Sequence, residues 1–407
     1  MRSSLPASRS RPPALGRTSP GPSIVWFRQD LRLRDHAALT AAASRGEPVI
    51  PVYIWSPEEE GRWPPGAASR VWLHHSLERL DASLRALGSR LVLRRGPARD
   101  ALLALARECG ARNVFYHRRY EPAARAVQDD IRGVLEGAGI HAHEHAGTLL
   151  HEPESVLGRS GRPFQVFTPF WNHCLSLPEP GTPSDAPGAL PPPRRWPPSL
   201  PLESFHLQPR SDWTAGIRAA WEPGEEAAMA SLRRFTGRTS RSRAARPDAP
   251  IAHYASRRDT PEPAGVSRLS PYLHHGELSA RQVYHAARRA GGAEAYLRQL
   301  GWREFAYHLL FHFPHMPERP LRPEFAGFPW IRDKAALTAW QRGRTGVPLV
   351  DAGMRELWTT GWMHNRVRMV AASFLVKHLL ISWHRGADWF WDTLVDADLA
   401  NNTLGWQ

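Results

Sequence analysis

Two carboxylates at i and i+2, followed by two amides, stand in Asp396-Ala397-Asp398-Leu399-Ala400-Asn401-Asn402, between Trp391 and Trp406. Oxygen donors so spaced can hold a hard cation, but the glycine and distal glutamate of an EF-hand loop are missing. A solvated loop is one other reading. A buried ion pair with an arginine is another, and burial then demands full hydrogen bonding. Arg368 is the arginine on offer. If Trp362-Met363-His364-Asn365-Arg366-Val367-Arg368-Met369 is helical, Asn365, Arg368 and Met369 share a face that joins an amide, a guanidinium and a soft apolar group. A core helix with snorkelling arginines is the plainer alternative. Ser267-Arg268-Leu269-Ser270 offers hydroxyls and a cation, a set that suits a phosphate. His141, His143 and His145 alternate and would share one strand face. Imidazoles can bind metal, and a polar sheet edge is their ordinary use; no metal is assigned.

These residues need elements to position them. Short apolar runs recur at Ile24–Phe27, Val49–Trp55, Leu91–Leu93 and Val114–Tyr116, with helix-like stretches such as Ser69–Leu87 and Pro97–Cys109 between them. Strands alternating with helices predict a parallel sheet covered on both faces. Gly137–Gly147 offers a fifth strand. No G-x-G-x-x-G follows the first strand, so a standard dinucleotide site is excluded there. Pro191–Pro193 marks the proline-rich stretch Leu175–Pro209 as an extended linker. Beyond Trp213 the period becomes helical, at Glu225–Phe235, Ala293–Phe311, Pro348–Thr359 and Asn365–Leu380, with Gly361 and Gly386 as punctuation. The expected organisation is a disordered basic leader over residues 1–22, an α/β parallel-sheet (Rossmann-like) domain over 23–150, a linker over 151–212 and an all-α domain over 213–407.

The chain has 407 residues, 42% of them hydrophobic, which suffices for more than one core. No run of eighteen apolar residues occurs, so no membrane span is expected. Two cysteines, Cys109 and Cys174, exclude a disulfide framework and fit a reducing cytoplasm. The net charge of +14 favours a polyanion such as nucleic acid. Lys334 and Lys377 are the only lysines, so the excess is almost all arginine, and codon bias is a competing explanation. The 17 tryptophans are the less ordinary feature.

Taken together, the motifs resemble the photolyase/cryptochrome family over Ser23 to Gln407, most closely its bacterial photolyases allied to plant cryptochromes. The resemblance rests on Trp26-Phe27-Arg28-Gln29-Asp30-Leu31-Arg32, Ser267-Arg268-Leu269-Ser270-Pro271-Tyr272-Leu273, Gly301-Trp302-Arg303-Glu304-Phe305, Gly361-Trp362-Met363-His364-Asn365-Arg366 and Asp396-Ala397-Asp398-Leu399 through Gly405-Trp406-Gln407, with the stretch Phe328-Pro329-Trp330 to Gly346 for the subgroup. It implies an antenna domain, then a helical domain holding FAD. Tyr254 and Ser267–Ser270 are then expected on the FAD phosphates and ribityl chain, with Val266 where a hydroxyl residue is common. Arg368 and Asp396 are expected to pair beside the flavin near Asp398 and Asn365, with Asn402 facing it. Trp406, Trp383 and Trp330 match an electron relay. Gln299, Trp302, Asn365, Arg366 and Met369 match the repair pocket, with Arg258 and Arg303 toward DNA phosphate. A second antenna chromophore, of folate or deazaflavin type, is also implied, and Glu121 resembles a folate contact.

The implied activity is light-driven splitting of cyclobutane pyrimidine dimers in DNA by a cytoplasmic monomer, through an electron donated by excited reduced FAD. Gln299 stands where such repair enzymes usually carry Glu. The chain also ends at Gln407, where the family continues, so a fragment is expected. A cryptochrome-type light sensor and a (6-4) photolyase are the rival readings. Asn402 argues against the plant sensor type. Asn365 and Met369 replace the two histidines that (6-4) chemistry uses.

Overall fold

The computed structural model describes residues 21–237, 248–261, 265–291 and 293–407. The expected basic leader, apart from Gly21 and Pro22, lies outside them. The first layer is a five-stranded sheet: β1 (Ser23–Phe27), β2 (Val49–Trp55), β3 (Val92–Arg95), β4 (Asn113–His117) and β5 (His141–His145). Every pairing is parallel and the order is β3-β2-β1-β4-β5. Strands β1, β2 and β4 are buried throughout, as central strands covered on both faces must be. Their side chains alternate between two cores. Val25 and Phe27 pack with Leu39 of α1 (Ala37–Ser44) and Leu77 of α2 (Ala67–Ala86). Ile24 and Trp26 pack with Leu102 of α3 (Ala98–Cys109) and Ile131 of α4 (Pro122–Gly137). The alternating histidines form the outer edge, where His143 bonds Asn113 and stacks on Phe115.

At the carboxyl end of β1, Asp30 Oδ2 stands 3.1 Å from His36 Nε2 and 2.8 Å from His117 Nδ1, all three residues buried. This cluster has the composition of a metal site, but its protons are already assigned. His36 Nδ1 accepts the Leu39 N–H at the start of α1, so its proton sits on Nε2, the nitrogen that faces Asp30. Burial pushes the His117 imidazole down to about 3, so it stays neutral and donates from Nδ1. The triad caps a helix and joins β1 to β4.

The rest of the chain is helical: α5 (Phe167–Ser176), α6 (Ala215–Ala220), α7 (Glu225–Thr236), α8 (Tyr254–Arg257), α9 (Ser270–His274), α10 (Ala280–Ala290), α11 (Glu294–His312), α12 (Lys334–Gln341), α13 (Pro348–Thr360), α14 (Asn365–Ser373), α15 (Trp383–Thr393) and α16 (Leu399–Trp406). Helix α5 falls within the expected linker, yet Phe167, Phe170 and Trp171 are buried in the helical core. The expected helix over Asn365–Leu380 stops being α-helical at Ser373 and continues as a π turn over Phe374–His378. Gly361 does end α13, at φ +69°. Gly386 ends nothing: it lies inside α15, where a Cβ would come within 2.1 Å of the Trp406 ring. Among the described residues no helix is long and apolar enough to cross a membrane. Both cysteines are free thiols.

The two halves meet through buried charge. Fully buried Arg32 donates to the carbonyls of Gly276, Asp35 and Gly147. Gly276, at φ +70°, is required there because a Cβ would sit 2.1 Å from the Gln29 carbonyl oxygen. Asp35 accepts from Arg281 and Ser279, and Glu225 accepts the backbone N–H groups of Leu33 and Arg34. Glu277 accepts from Trp72 and Ser76 of α2 and from the Gly224 N–H. Burial outweighs those donors and raises Glu277 from 4.5 to about 8. A carboxyl whose folded value exceeds its unfolded one holds its proton more tightly when folded. The Glu277 contribution is therefore fully present below about pH 4.5 and is lost as pH rises through about 8. Calorimetric melting across that window should show a falling midpoint that Glu277→Gln flattens; an unchanged slope in the variant would assign it to other groups.

Candidate functional site

A cavity of about 260 Å³ opens where α8, α9, α11, α14 and the segment before α16 converge. Its walls come from stretches far apart in sequence: Tyr254, Val266–Leu273, Gln299–Arg303, Trp362–Arg368 and Asp396–Asn401 all contribute. Its anchor is the pair of Arg368 Nη2 and Asp396 Oδ2, 2.8 Å apart. Arg368 also donates through Nε to the Met363 carbonyl, and Ser270 Oγ donates to Asp396 Oδ2. The ion-pair reading of the 396–402 segment is thus the one the structure adopts, with Arg368 and Ser270 both meeting Asp396 Oδ2.

Asp398 is the second carboxylate. Its Oδ1 caps α16 by accepting the Asn401 N–H and side-chain amide, and its Oδ2 accepts from the Tyr307 hydroxyl. Burial alone would raise this carboxyl. His274, 3.9 Å away, together with Arg303 and Tyr307, outweighs burial and holds it below the usual carboxylate range. Asp398 therefore keeps its negative charge on the cavity wall. At another wall, Arg268 adopts φ +53° and lays its guanidinium over Trp221 at 4.2 Å and Trp362 at 5.0 Å.

Of the residues expected on a cofactor, Tyr254, Val266, Ser267, Arg268, Leu269, Ser270, Asn365, Arg368, Asp396 and Asp398 all line this one cavity. Asn402 does not. Its amide donates to the Ala387 carbonyl and accepts from Trp406 Nε1, and Asn401 takes the place on the wall. Tyr296, His274 and Leu300 are lining residues that sequence reasoning left out. Tyr296 carried a usable signal, lying one helical turn before Gln299 and Leu300.

The expected substrate-facing residues divide. Gln299 and Asn365 line the cavity. Trp302 is 38% exposed, with its indole stacked on Phe167 at 3.8 Å and 6°. Arg258 and Arg366 share the exposed carboxylate of Asp259, at 3.3 and 2.8 Å. Met369 is exposed beside Asn365 and Arg366. Arg303 departs from expectation. Its side chain turns inward to the Thr148 carbonyl and to Glu304, so it serves the cavity and not an outer surface. Trp383 is buried in one apolar cluster against which Trp330 and Trp406 pack.

The polar atoms left over define what the cavity can take. Asp396 Oδ1 is buried with no partner, an acceptor awaiting an N–H, and Arg268 Nε is a donor awaiting an acceptor. With the Ser267 and Ser270 hydroxyls, these suit a ligand that carries both an N–H-bearing heteroaromatic ring and phosphate. FAD has both. A second cleft lies at the carboxyl edge of the sheet, as adjoining spaces of about 80 and 170 Å³ that share Gln29, Glu60, Arg119 and His274. Glu121 lines the larger one with Trp63 and Trp391, its carboxylate held by Arg119.

Residues 23–190 match the family model described as DNA photolyase, and residues 296–407 match the FAD binding domain of DNA photolyase. The deoxyribodipyrimidine photo-lyase of Agrobacterium fabrum is 44% identical over 95% of this chain and 79% of its own length. Cryptochrome-1 of Arabidopsis thaliana is 40% identical over 96% of this chain, which spans 58% of that relative. The crystal structure of a bacterial class III photolyase from Agrobacterium tumefaciens superposes with a TM-score of 0.90 at 43% identity, covering 97% of this chain and 80% of the other.

Asp396→Asn keeps the shape of the side chain but leaves Arg368 facing a neutral amide. Breaking a buried pair from one side costs about 3 kcal/mol. Urea melts should show a loss of that order together with reduced flavin in the purified protein. Wild-type stability and flavin content in the variant would remove the pair from its anchoring role.

Proposed function

The chain belongs to the photolyase/cryptochrome family, and from that premise we propose that it repairs cyclobutane pyrimidine dimers in DNA under light. It binds FAD in its helical domain and is a deoxyribodipyrimidine photo-lyase by class. The observation that carries the reading is a single cavity that joins the Arg368–Asp396 pair and the Ser267–Ser270 segment to Gln299 and Asn365. Fully reduced FAD held there would supply, on excitation, an electron that opens the cyclobutane ring and is returned once the two pyrimidines have separated, so that no net oxidation or reduction occurs.

The protein's own work is binding, orientation and exclusion of water. Ser267, Arg268 and Ser270 suit the phosphates, and Asp396 Oδ1 suits a ring N–H. A dimer inside a duplex is out of reach, and a damaged pair costs less to unstack than a sound one. Trp302, braced flat on Phe167, offers the extruded bases an apolar platform. Arg258 and Arg366, bridged by Asp259, offer two cations to the DNA backbone. Gln299 reaches the cavity with a neutral amide that can donate one hydrogen bond to a pyrimidine carbonyl. No side chain acts as a nucleophile.

Trp406, Trp383 and Trp330 form the route by which electrons reach the flavin from solvent. Trp383 is buried, and the other two are partly exposed members of the same cluster. The cleft at the sheet edge takes the second, light-harvesting chromophore, of folate or deazaflavin type. Two free thiols support a reducing cytoplasm, and we take the protein to act there as a monomer.

Illuminated protein carrying reduced flavin should remove cyclobutane dimers from DNA and leave (6-4) products intact. Asn365 and Met369 leave no imidazole at the two matched positions. Gln299→Glu separates two roles for that position: a rise in quantum yield assigns a role to the charge, and no change assigns the hydrogen bond alone. Loss of (6-4) products with dimers untouched would overturn the assignment.

Trp406→Phe should slow photoreduction of the oxidised flavin while sparing repair by protein reduced chemically beforehand. Transient absorption would follow the first and dimer loss the second. An unchanged photoreduction rate would place the route elsewhere.

A further inference from the structure

Helix α2 carries His74, His75 and Glu78 on the side that faces the linker. Successive helix positions are about 100° apart, so adjacent imidazoles do not ordinarily meet one partner. Here they do, because each uses a different ring nitrogen. His74 extends its distal Nε2 to 3.5 Å from Glu78 Oε1, and His75 turns its near Nδ1 to 2.8 Å from Glu78 Oε2. The three ligand atoms lie within 4.8 Å of one another. We propose that His74, His75 and Glu78 form a binding site for one divalent transition-metal ion, with Zn²⁺ as the probe.

Two imidazole nitrogens and a carboxylate oxygen are a zinc donor set that leaves room for water to complete the coordination. The linker supplies an outer contact. The side-chain amide of Gln208 lies 3.3 Å from His75 Nε2. An imidazole that ligates through Nδ1 carries its proton on Nε2, and the Gln208 carbonyl oxygen, with the amide turned, accepts it. Arg79 is the adjacent cation, and its guanidinium leans 4.0 Å from Glu222. The contrast with Asp30, His36 and His117 is chemical. There the Leu39 N–H fixes a proton on the very nitrogen that would have to ligate. Here, among the described residues, Glu78 is the only partner shown on either ligating nitrogen. His75 and Glu78 also border a groove of about 1120 Å³ between α2, α6 and α7, so the water positions have open space before them.

The test is calorimetric titration of metal-stripped, flavin-loaded full chain with Zn²⁺, with Co²⁺ absorption reporting the donor set. The expected result is one equivalent bound. His75→Ala and Glu78→Gln should each abolish that event, Gln208→Ala should weaken it about tenfold, and His143→Ala on β5 should leave it unchanged. Equal flavin content across the variants shows that each is folded. The proposal is overturned by the absence of a stoichiometric event, by binding that survives both Glu78→Gln and His75→Ala, or by binding that is lost with His143→Ala.

Discussion

A carboxylate can be taken out of water only where donors surround it, and this molecule joins its two halves through several such carboxylates. Asp35 reaches across to Ser279 and Arg281, and Glu225 reaches back to the N–H groups of Leu33 and Arg34. Glu277 gathers Trp72 and Ser76, while Glu304 accepts the N–H groups of Leu150 and His151 where the chain leaves the sheet. Each acceptor takes at least one donor from the other half or from the connecting chain, so neither half alone satisfies the whole set. Removing one partner leaves a buried polar group unpaired, a larger penalty than an apolar contact of the same size would carry. The relative placement of sheet and helices is therefore specified by directional bonds. Burial energy adds to this where Trp72, wholly buried, meets the rings of Trp221, Tyr272 and His275.

The cavity inherits that rigidity. Helix α11 carries Gln299 and Arg303 of the cavity wall, and Trp302 at the surface, on the same short stretch as Glu304, so the residue that fastens the linker also holds them in place. Phe167, beneath Trp302, belongs to α5 in the connecting segment. The exposed Trp302 indole is thus held in place by the connection between the halves. The same logic explains the inward turn of Arg303: with Glu304 buried beside it, its guanidinium balances charge within the cavity wall.

Most of the architecture was legible from periodicity, because central parallel strands read as apolar runs and the helices have clear spacing. Strand β5 was the faintest, since His141–His145 form a half-exposed edge with little apolar signal. The residues expected on a cofactor stood out as motifs, and all but Asn402 line one cavity. Two assignments depended on information that a linear pattern lacks. Asn401 and Asn402 are adjacent amides, and the cap that Asp398 makes with Asn401 determines which of them meets the cavity wall. The fate of Arg303 depends on the carbonyl of Thr148, 155 residues away in the chain. Short-range spacing predicts which residues share a helix face; it does not predict which distant carbonyl a guanidinium will find.

Gly386 was read as a helix terminator and proved to be a vacancy kept open for another residue's side chain. A glycine inside a helix costs about 1 kcal/mol relative to alanine, and α15 accepts that loss at the point where the Trp406 indole lies against its backbone. Positions 386 and 406 therefore form a lock-and-key couple written twenty residues apart. In an alignment of related chains they should vary together: a lineage that abandons the tryptophan frees position 386 to become alanine, and one that keeps the indole in this seat keeps the glycine. Covariation at this one pair reads out whether a relative still uses the seat, without a structure of that relative being needed.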